Sequence, residues 1–191
     1  MCHFRIALLA FFSMVCPWLA LAEDFALMER TEYPPETGKL TYYELKLATN
    51  TAVFLPPRNW RVRPQPAERV VSLEHPSDGI RLICHFAPRS GQPSTSANWD
   101  KHRQSLTNRF KRTIIREEFD AHAGNFSGHG YWVEYRVASD YAMGLGLAVF
   151  PIPGYLLEIQ LYAPLDQFSQ YQRDFTSFLT SFRLLPAVKP P

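Results

Sequence analysis

The chain has 191 residues, of which 46% are hydrophobic and 20% are charged. This composition is typical of one globular domain with a buried core, and it excludes a disordered tail and a coiled coil. The 20 Lys and Arg residues nearly balance the 18 Asp and Glu residues, which leaves a formal net charge of +2. No overall field therefore attracts nucleic acid or an acidic membrane, and we expect no nucleic-acid partner.

The first 22 residues have the pattern of a signal peptide. Arg5 precedes an apolar run over residues 6–22, which ends in two alanines with one residue between them. Such a run is short for a membrane span, and small residues two apart suit a signal peptidase. We expect cleavage before Glu23 and export to the periplasm or the cell exterior, with no integral membrane segment in the mature chain. The alternative is a leader that is kept as an anchor helix.

Residues 23–39 contain two prolines and one glycine, Pro34, Pro35 and Gly38, and show little periodicity, so an irregular lead-in is expected there. Residues 186–191 are expected to form a Pro-rich tail. Between these ends, apolar and polar residues alternate in short runs that are broken by Pro and Gly. This pattern is typical of half-buried antiparallel strands. The predicted strands, in chain order, are 40–47, 52–55, 70–74, 80–86, 113–119, 131–137, 143–150 and 155–162.

Two segments have helical periodicity instead. In the first, residues 99–110, apolar side chains recur three or four positions apart and predict an amphipathic helix. In the second, Asp166 is a candidate N-cap, and five aromatic residues between Phe168 and Phe182 recur at the same spacing. Because strands and helices do not alternate strictly, we expect a single α+β domain over residues 40–185, with an antiparallel β-sheet covered by helices.

Three segments resemble the PsbP-like and Mog-type superfamily. They are residues 54–60 (FLPPRNW), residues 128–135 (GHGYWVEY), and the strand 155–161 with the helix that closes on Thr180-Ser181-Phe182. The resemblance extends over about residues 40–185 and implies an α/β/α sandwich. It also implies a non-enzymatic accessory or docking domain without a cofactor, because members of this group include extrinsic photosystem subunits and a Ran-binding factor.

Cys84 is the only thiol that remains after the leader is removed. It alternates with Ile80, Leu82 and Phe86, so we expect a buried structural cysteine. His85 follows it directly and points to the opposite face of the strand, where it cannot act as the base of a Cys–His pair. Cys84 is therefore not a predicted nucleophile.

The other polar residues fit no catalytic or metal-binding pattern. The histidines of the mature chain are His75, His85, His102, His122 and His129, and their spacing predicts no metal site. Ser127 has glycines three residues before it and one after it, which is not the spacing of a nucleophile elbow. The acidic residues 117, 118 and 120 are expected to form a solvated strand edge. We therefore predict no enzyme activity, no metal and no cofactor.

Basic residues concentrate near the end of the first helix, at Arg103, Arg109, Lys111, Arg112 and Arg116. As a functional feature, this set is a candidate docking patch for an anionic partner or a lipid surface. As a structural feature, it is a helix C-terminus followed by an exposed strand, and the helix dipole alone explains its sign. The structural interpretation is the one we favour.

Two functional hypotheses follow from the sequence. The first is an exported, non-catalytic accessory domain that docks onto another protein or an envelope assembly. The second is a small-ligand carrier with an aromatic pocket between sheet and helix, lined by Trp132, Tyr155 and Phe175. It is motivated by the aromatic content of 14%.

The leader hypothesis makes a direct prediction. Intact-mass spectrometry of the protein recovered from the cell envelope should give a chain that begins at Glu23. Ala22→Leu should block this cleavage, because the peptidase requires small residues at the site. Recovery of the complete 191-residue chain from the unsubstituted protein would contradict the prediction and favour the anchor helix.

Overall fold

A computed structural model describes residues 25–36, 38–48, 50–77, 79–89, 99–110 and 112–185. The predicted leader, the predicted tail and Lys111 lie outside the described residues. The strands are β1 (Phe25–Glu32), β2 (Leu40–Leu47), β3 (Asn50–Phe54), β4 (Arg61–Gln65), β5 (Val70–Glu74), β6 (Arg81–Pro88), β7 (Ile114–Ala123), β8 (Phe126–Arg136), β9 (Ala142–Ile152), β10 (Tyr155–Pro164) and β11 (Arg183–Leu185). The helices are α1 (Trp99–Arg109) and α2 (Phe168–Ser181).

The strands form two antiparallel sheets. The large sheet has seven strands in the order β4-β5-β6-β10-β9-β8-β7, and the small sheet has four in the order β1-β2-β3-β11. The α+β class is therefore confirmed, and the protein is richer in sheet than a simple α/β/α sandwich. The prediction of one sheet was wrong, because β2 and β3 pair with β1 and β11 and not with the strands of the large sheet.

The lead-in predicted to be irregular contains β1. All eight residues of β1 pair with β2, from Phe25 opposite Leu47 to Glu32 opposite Leu40. The sequence conceals this strand because four consecutive apolar residues are followed by polar ones, so the period of two is absent. Only Phe25 of this edge strand is fully buried.

Other element boundaries also differ from the sequence prediction. The short strands β4 and β11 were not predicted, since each has only a few residues and β4 contains a proline. Helix α2 begins at Phe168, and the preceding residue, Gln167, makes no capping hydrogen bond. The prediction of Asp166 as the N-cap was therefore wrong.

Each face of the large sheet has its own core. On one face, α2 and the inner side of the small sheet join the sheet through residues that include Phe54, Phe86, Phe175 and Phe178. On the other face, α1 packs through Leu106 onto side chains of β8, β9 and β10. The large sheet thus lies between α1 on one side and the pair formed by α2 and the small sheet on the other.

Phe86 connects three parts of the first core. Its ring centroid lies 5.8 Å from that of Phe25 in the small sheet, 6.5 Å from that of Tyr155 in β10, and 6.4 Å from that of Phe182 after α2. The side chain has 0% exposure. This ring therefore contributes to the contact between the small sheet, the large sheet and the end of α2.

Phe86→Ala should lower the free energy of unfolding by about 3–5 kcal/mol, because it removes a buried ring and leaves a cavity. Urea denaturation measures this change. Tyr33→Ala is the matched control, since Tyr33 is 73% exposed and its removal should cost less than about 0.5 kcal/mol. Equal losses in the two variants would contradict the assigned role of Phe86.

Candidate functional site

The structure buries Cys84 and separates it from His85. Cys84 is 1% exposed, and burial strongly raises the pKa of its thiol. It lies opposite Ile159 of β10 in the core that faces α2, whereas His85 lies opposite Glu158 on the other face. A neutral thiol without a base or access to substrate is not a nucleophile. The geometry agrees with the prediction of a structural cysteine.

His122 and Ser127 are neighbours in the hairpin of β7 and β8. His122 pairs with Ser127 in the strand register, and its Nδ1 lies 3.5 Å from the Ser127 Oγ. Sequence spacing could not show this contact, since it depends on where the hairpin turns. Both side chains are exposed, and 3.5 Å is the outer limit of a hydrogen bond. The contact is that of a surface hydrogen bond and not of a shielded catalytic pair.

The remaining histidines are dispersed over the molecule. The ring of His75 packs against Trp60 and Tyr171, with centroid distances of 5.4 and 5.1 Å. The Nε2 of His129 lies 3.1 Å from an oxygen of Glu118. In the described part of the chain, no three His, Cys, Asp or Glu side chains are placed to hold a metal ion.

The predicted basic patch does not form one surface. Arg103 forms an ion pair of 3.3 Å with Glu118, which lies opposite Tyr131 on the face of the sheet that α1 covers. Arg116 forms an ion pair of 2.6 Å with Glu134. Since side chains alternate along a strand, Glu134 lies on the face of Trp132, which is the face of α2. Two of the predicted cations are thus paired and on opposite faces.

The other cations of the predicted patch are arranged differently. The Arg109 guanidinium lies 5.4 Å from the centroid of the Phe110 ring. Arg112 has a left-handed backbone with φ of 53° and ends the turn after α1. Lys111 lies outside the described residues. The docking role of these residues stays a prediction that the structure does not favour, because the charges are divided between two sides.

The aromatic pocket predicted from the sequence is filled by side chains. Phe175 is fully buried, and its ring lies 5.4 Å from that of Trp132. A Cβ at Gly146 would lie 2.4 Å from the Trp132 ring, which shows how closely that ring covers β9. Tyr155 is also buried and accepts a hydrogen bond of 3.3 Å from Arg69. The structure therefore differs from the prediction, because Trp132, Tyr155 and Phe175 pack into the core.

An apolar depression of about 320 Å³ lies on the outer face of the small sheet, and we call it the outer groove. Its lining residues are Leu40, Tyr42, Glu44, Val53, Phe54, Leu55, Ser181 and Leu185. Leu55 is 37% exposed and Leu185 is 49% exposed. The outer face of a sheet is usually polar when the inner face is in the core, so an apolar outer groove is unusual.

Hydrogen bonds fix the shape of the outer groove. The backbone N–H of Leu55 donates to the Ser181 hydroxyl at 3.1 Å, which attaches the end of α2 to the end of β3. The single hydrogen of this hydroxyl has two carbonyl acceptors, Phe178 at 2.8 Å and Leu55 at 3.2 Å. The Tyr42 hydroxyl donates to Glu32 at 2.8 Å, and this hydrogen bond raises the pKa of Tyr42. Hydrogen bonds therefore connect the elements at the base of the groove, and polar groups lie at one edge of it.

Comparison with known proteins shows a likeness of fold. LpqN of Mycobacterium tuberculosis, described as involved in cell envelope biogenesis, is 14% identical with a TM-score of 0.55, over 86% of this chain and 95% of that chain. A Pseudomonas aeruginosa protein of unknown function, PA94, described as a putative regulator, is 7% identical with a TM-score of 0.50, over 85% and 98% of the two chains. At these identities the likeness concerns the fold alone.

Structures of the kinds named in the sequence resemblance are also among the matches. The Ran-binding protein Mog1p of Saccharomyces cerevisiae is 11% identical with a TM-score of 0.48, over 83% of this chain and 96% of that chain. A cyanobacterial PsbP structure is another match. No family model matches the chain, and no curated protein is significantly similar to it. No helix in the described residues has both the length and the hydropathy of a membrane span.

The buried thiol of Cys84 predicts a pH dependence of stability. Burial raises its pKa in the folded chain, so above the ordinary value of about 8.5 the unfolded chain loses a proton that the folded chain keeps. The thiol should therefore make the free energy of unfolding fall as pH rises, and its contribution to the slope should approach about 1.4 kcal/mol per pH unit between about pH 9 and pH 10.

Urea denaturation at a series of pH values measures this slope, and Cys84→Ala is the control. The variant is less stable at every pH because it leaves a small cavity, but it should lack the contribution of the thiol to the slope. Parallel stability profiles for the two proteins would show that the thiol titrates alike in both states.

Proposed function

We propose that this chain is an exported, non-catalytic accessory domain that docks onto another protein through the outer groove. The observation that carries the proposal is the exposed apolar lining of that groove at Leu55 and Leu185. A partner that covers an apolar depression removes its apolar surface from contact with water, and this burial favours association.

The surroundings of the groove favour a protein segment as its occupant. Polar residues of β1 and β2 border the apolar centre on one side, where Arg30 and Glu44 are paired at 3.0 Å and the Tyr42 hydroxyl donates a hydrogen bond to Glu32. This combination of an apolar centre and a polar rim of both charges is that of a protein–protein interface. A lipid surface would meet paired carboxylates at the rim, which a hydrocarbon cannot solvate.

The candidate catalytic residues support a role without chemistry. The Cys84 thiol is buried and neutral, and the Ser127–His122 contact is long and exposed. LpqN, which shares the fold, is described as involved in cell envelope biogenesis. We therefore propose an envelope assembly as the place where the partner is found.

Site-specific photo-crosslinking tests the docking proposal. A photoreactive amino acid at Leu55 and, separately, at Leu185 should give crosslinks to the same partner peptide in the native envelope. The same amino acid at Val137, which is 61% exposed on the hairpin between β8 and β9, is the matched control and should not crosslink to it.

A second set of variants separates docking from folding. With the photoreactive amino acid at Leu185, Leu55→Asp should reduce the crosslink at least about tenfold, because it places a charge in the apolar contact. Val137→Asp and charge reversal at Arg109 and Arg112 should leave it unchanged. All variants should keep the unsubstituted melting temperature. A crosslink that persists in Leu55→Asp would remove the outer groove from the proposal.

A further inference from the structure

A second cavity, of about 530 Å³, lies on the opposite side of the large sheet, beside α1. It is lined by Glu68, Val70, Arg81, Ile83, His85, Arg109, Glu158, Gln160 and Tyr162. Helix α1 covers side chains of β8 and β9, and the cavity lies next to it, over β5, β6 and β10. Its volume is within the range of small-ligand sites, which is about 300–1,000 Å³.

A buried amide is among the lining residues of this cavity, which we call the Gln160 cavity. Gln160 is 5% exposed, and within the described residues the only other buried polar side chain is that of Ser72. The Tyr162 hydroxyl donates to its Oε1 at 2.6 Å, and its Nε2 donates to Glu158 at 2.8 Å. The three residues alternate along β10, so the hydrogen-bonded chain follows one face of the strand.

The hydrogen-bonding capacity of Gln160 is only half used. A primary amide has two N–H donors and a carbonyl oxygen with two lone pairs. Within the described part of the chain, protein groups use one donor and one lone pair. Since buried polar groups are normally satisfied, the second donor and the second lone pair are available to a ligand or a water in the cavity.

Two cations converge on the same cavity. The Arg81 guanidinium lies 5.1 Å from the centroid of the Tyr162 ring. Arg81 and Arg109 both line the cavity together with Tyr162. Burial raises the pKa of Tyr162, and the charges of Arg109 and Arg81 act in the opposite direction. Among the described residues, neither arginine has a carboxylate within ion-pair distance.

Acidic and neutral groups complete the lining. Glu158 lies opposite His85 across the strand pair, and Glu68 lies at the same cavity. Carboxylates accept hydrogen bonds from hydroxyl groups and repel a second negative charge on a ligand. The lining therefore combines a cationic part, at Arg81 and Arg109, with carboxylates that accept hydrogen bonds from hydroxyl groups.

We propose that the Gln160 cavity binds a hydroxylated small molecule with one anionic group, of the type of a sugar acid or a sugar phosphate. The carboxylate or phosphate is held by Arg81 and Arg109, whose planar guanidinium groups match both anions. The hydroxyl groups donate to Glu158 and bond to the unused donor and acceptor of Gln160. This site is independent of the outer groove, which lies on the other side of the molecule.

Calorimetric titration of the chain at low salt tests the proposal with four probes. Glucuronate and glucose 6-phosphate carry both features, and they distinguish a carboxylate from a phosphate ligand. Glucose lacks the anion, and inorganic phosphate lacks the hydroxyl groups. At least one of the first two probes should bind at least about tenfold more tightly than both of the single-feature probes.

Arginine variants identify the site of binding. Arg81→Gln and Arg109→Gln should each lower the affinity for the anionic sugar at least about tenfold, while the affinity for glucose stays unchanged. Arg103→Gln is the matched control, because Arg103 is on the same helix as Arg109 and is paired with Glu118 away from the cavity. All three side chains are exposed, so the variants should keep the fold.

Three results would overturn the proposal. The first is no saturable binding of either anionic sugar up to about 10 mM, a limit that corresponds to negligible affinity. The second is binding that Arg81→Gln and Arg109→Gln leave unchanged. The third is glucose or inorganic phosphate binding as tightly as the better of the two anionic sugars, which would show that the site does not recognise the anion and the hydroxyl groups together. None of these results affects the crosslinking test at the outer groove.

Discussion

The need to cover both faces of the two middle strands of the large sheet determines the rest of the molecule. The eight consecutive residues 143–150 of β9 are all buried, without alternation, and β10 is buried on both faces at its centre. One layer cannot shield such strands from water. Helix α1 therefore covers one face, and α2 together with the small sheet covers the other.

The different covering of the two faces explains where the two candidate sites lie. The inner face of the small sheet packs into the core. Apolar side chains that do not lie on this face are exposed, as Leu55 and Leu185 are. Helix α1 has eleven residues and is too short to cover seven strands. The polar side chains of β6 and β10 next to it therefore line a depression, and the buried Gln160 is one of them.

The parts of this fold that depend on local pattern could be predicted from the sequence, and those that depend on distant pairing could not. Helices α1 and α2 and the burial of Cys84 follow from period and alternation, and the structure agrees with them. The small sheet was missed because β11 pairs with β3 across more than a hundred residues. The Gln160 cavity was missed because its residues come from β5, β6, β10 and α1, and each of them has ordinary polar neighbours in sequence.

The pairing of β11 with β3 has a consequence for the order in which the fold forms. The small sheet needs residues 183–185, which lie more than a hundred residues beyond β3 along the chain. Contacts of such high sequence separation close late, because the loop entropy must be overcome first. The small sheet is therefore completed late in folding, once β11 reaches the N-terminal strands.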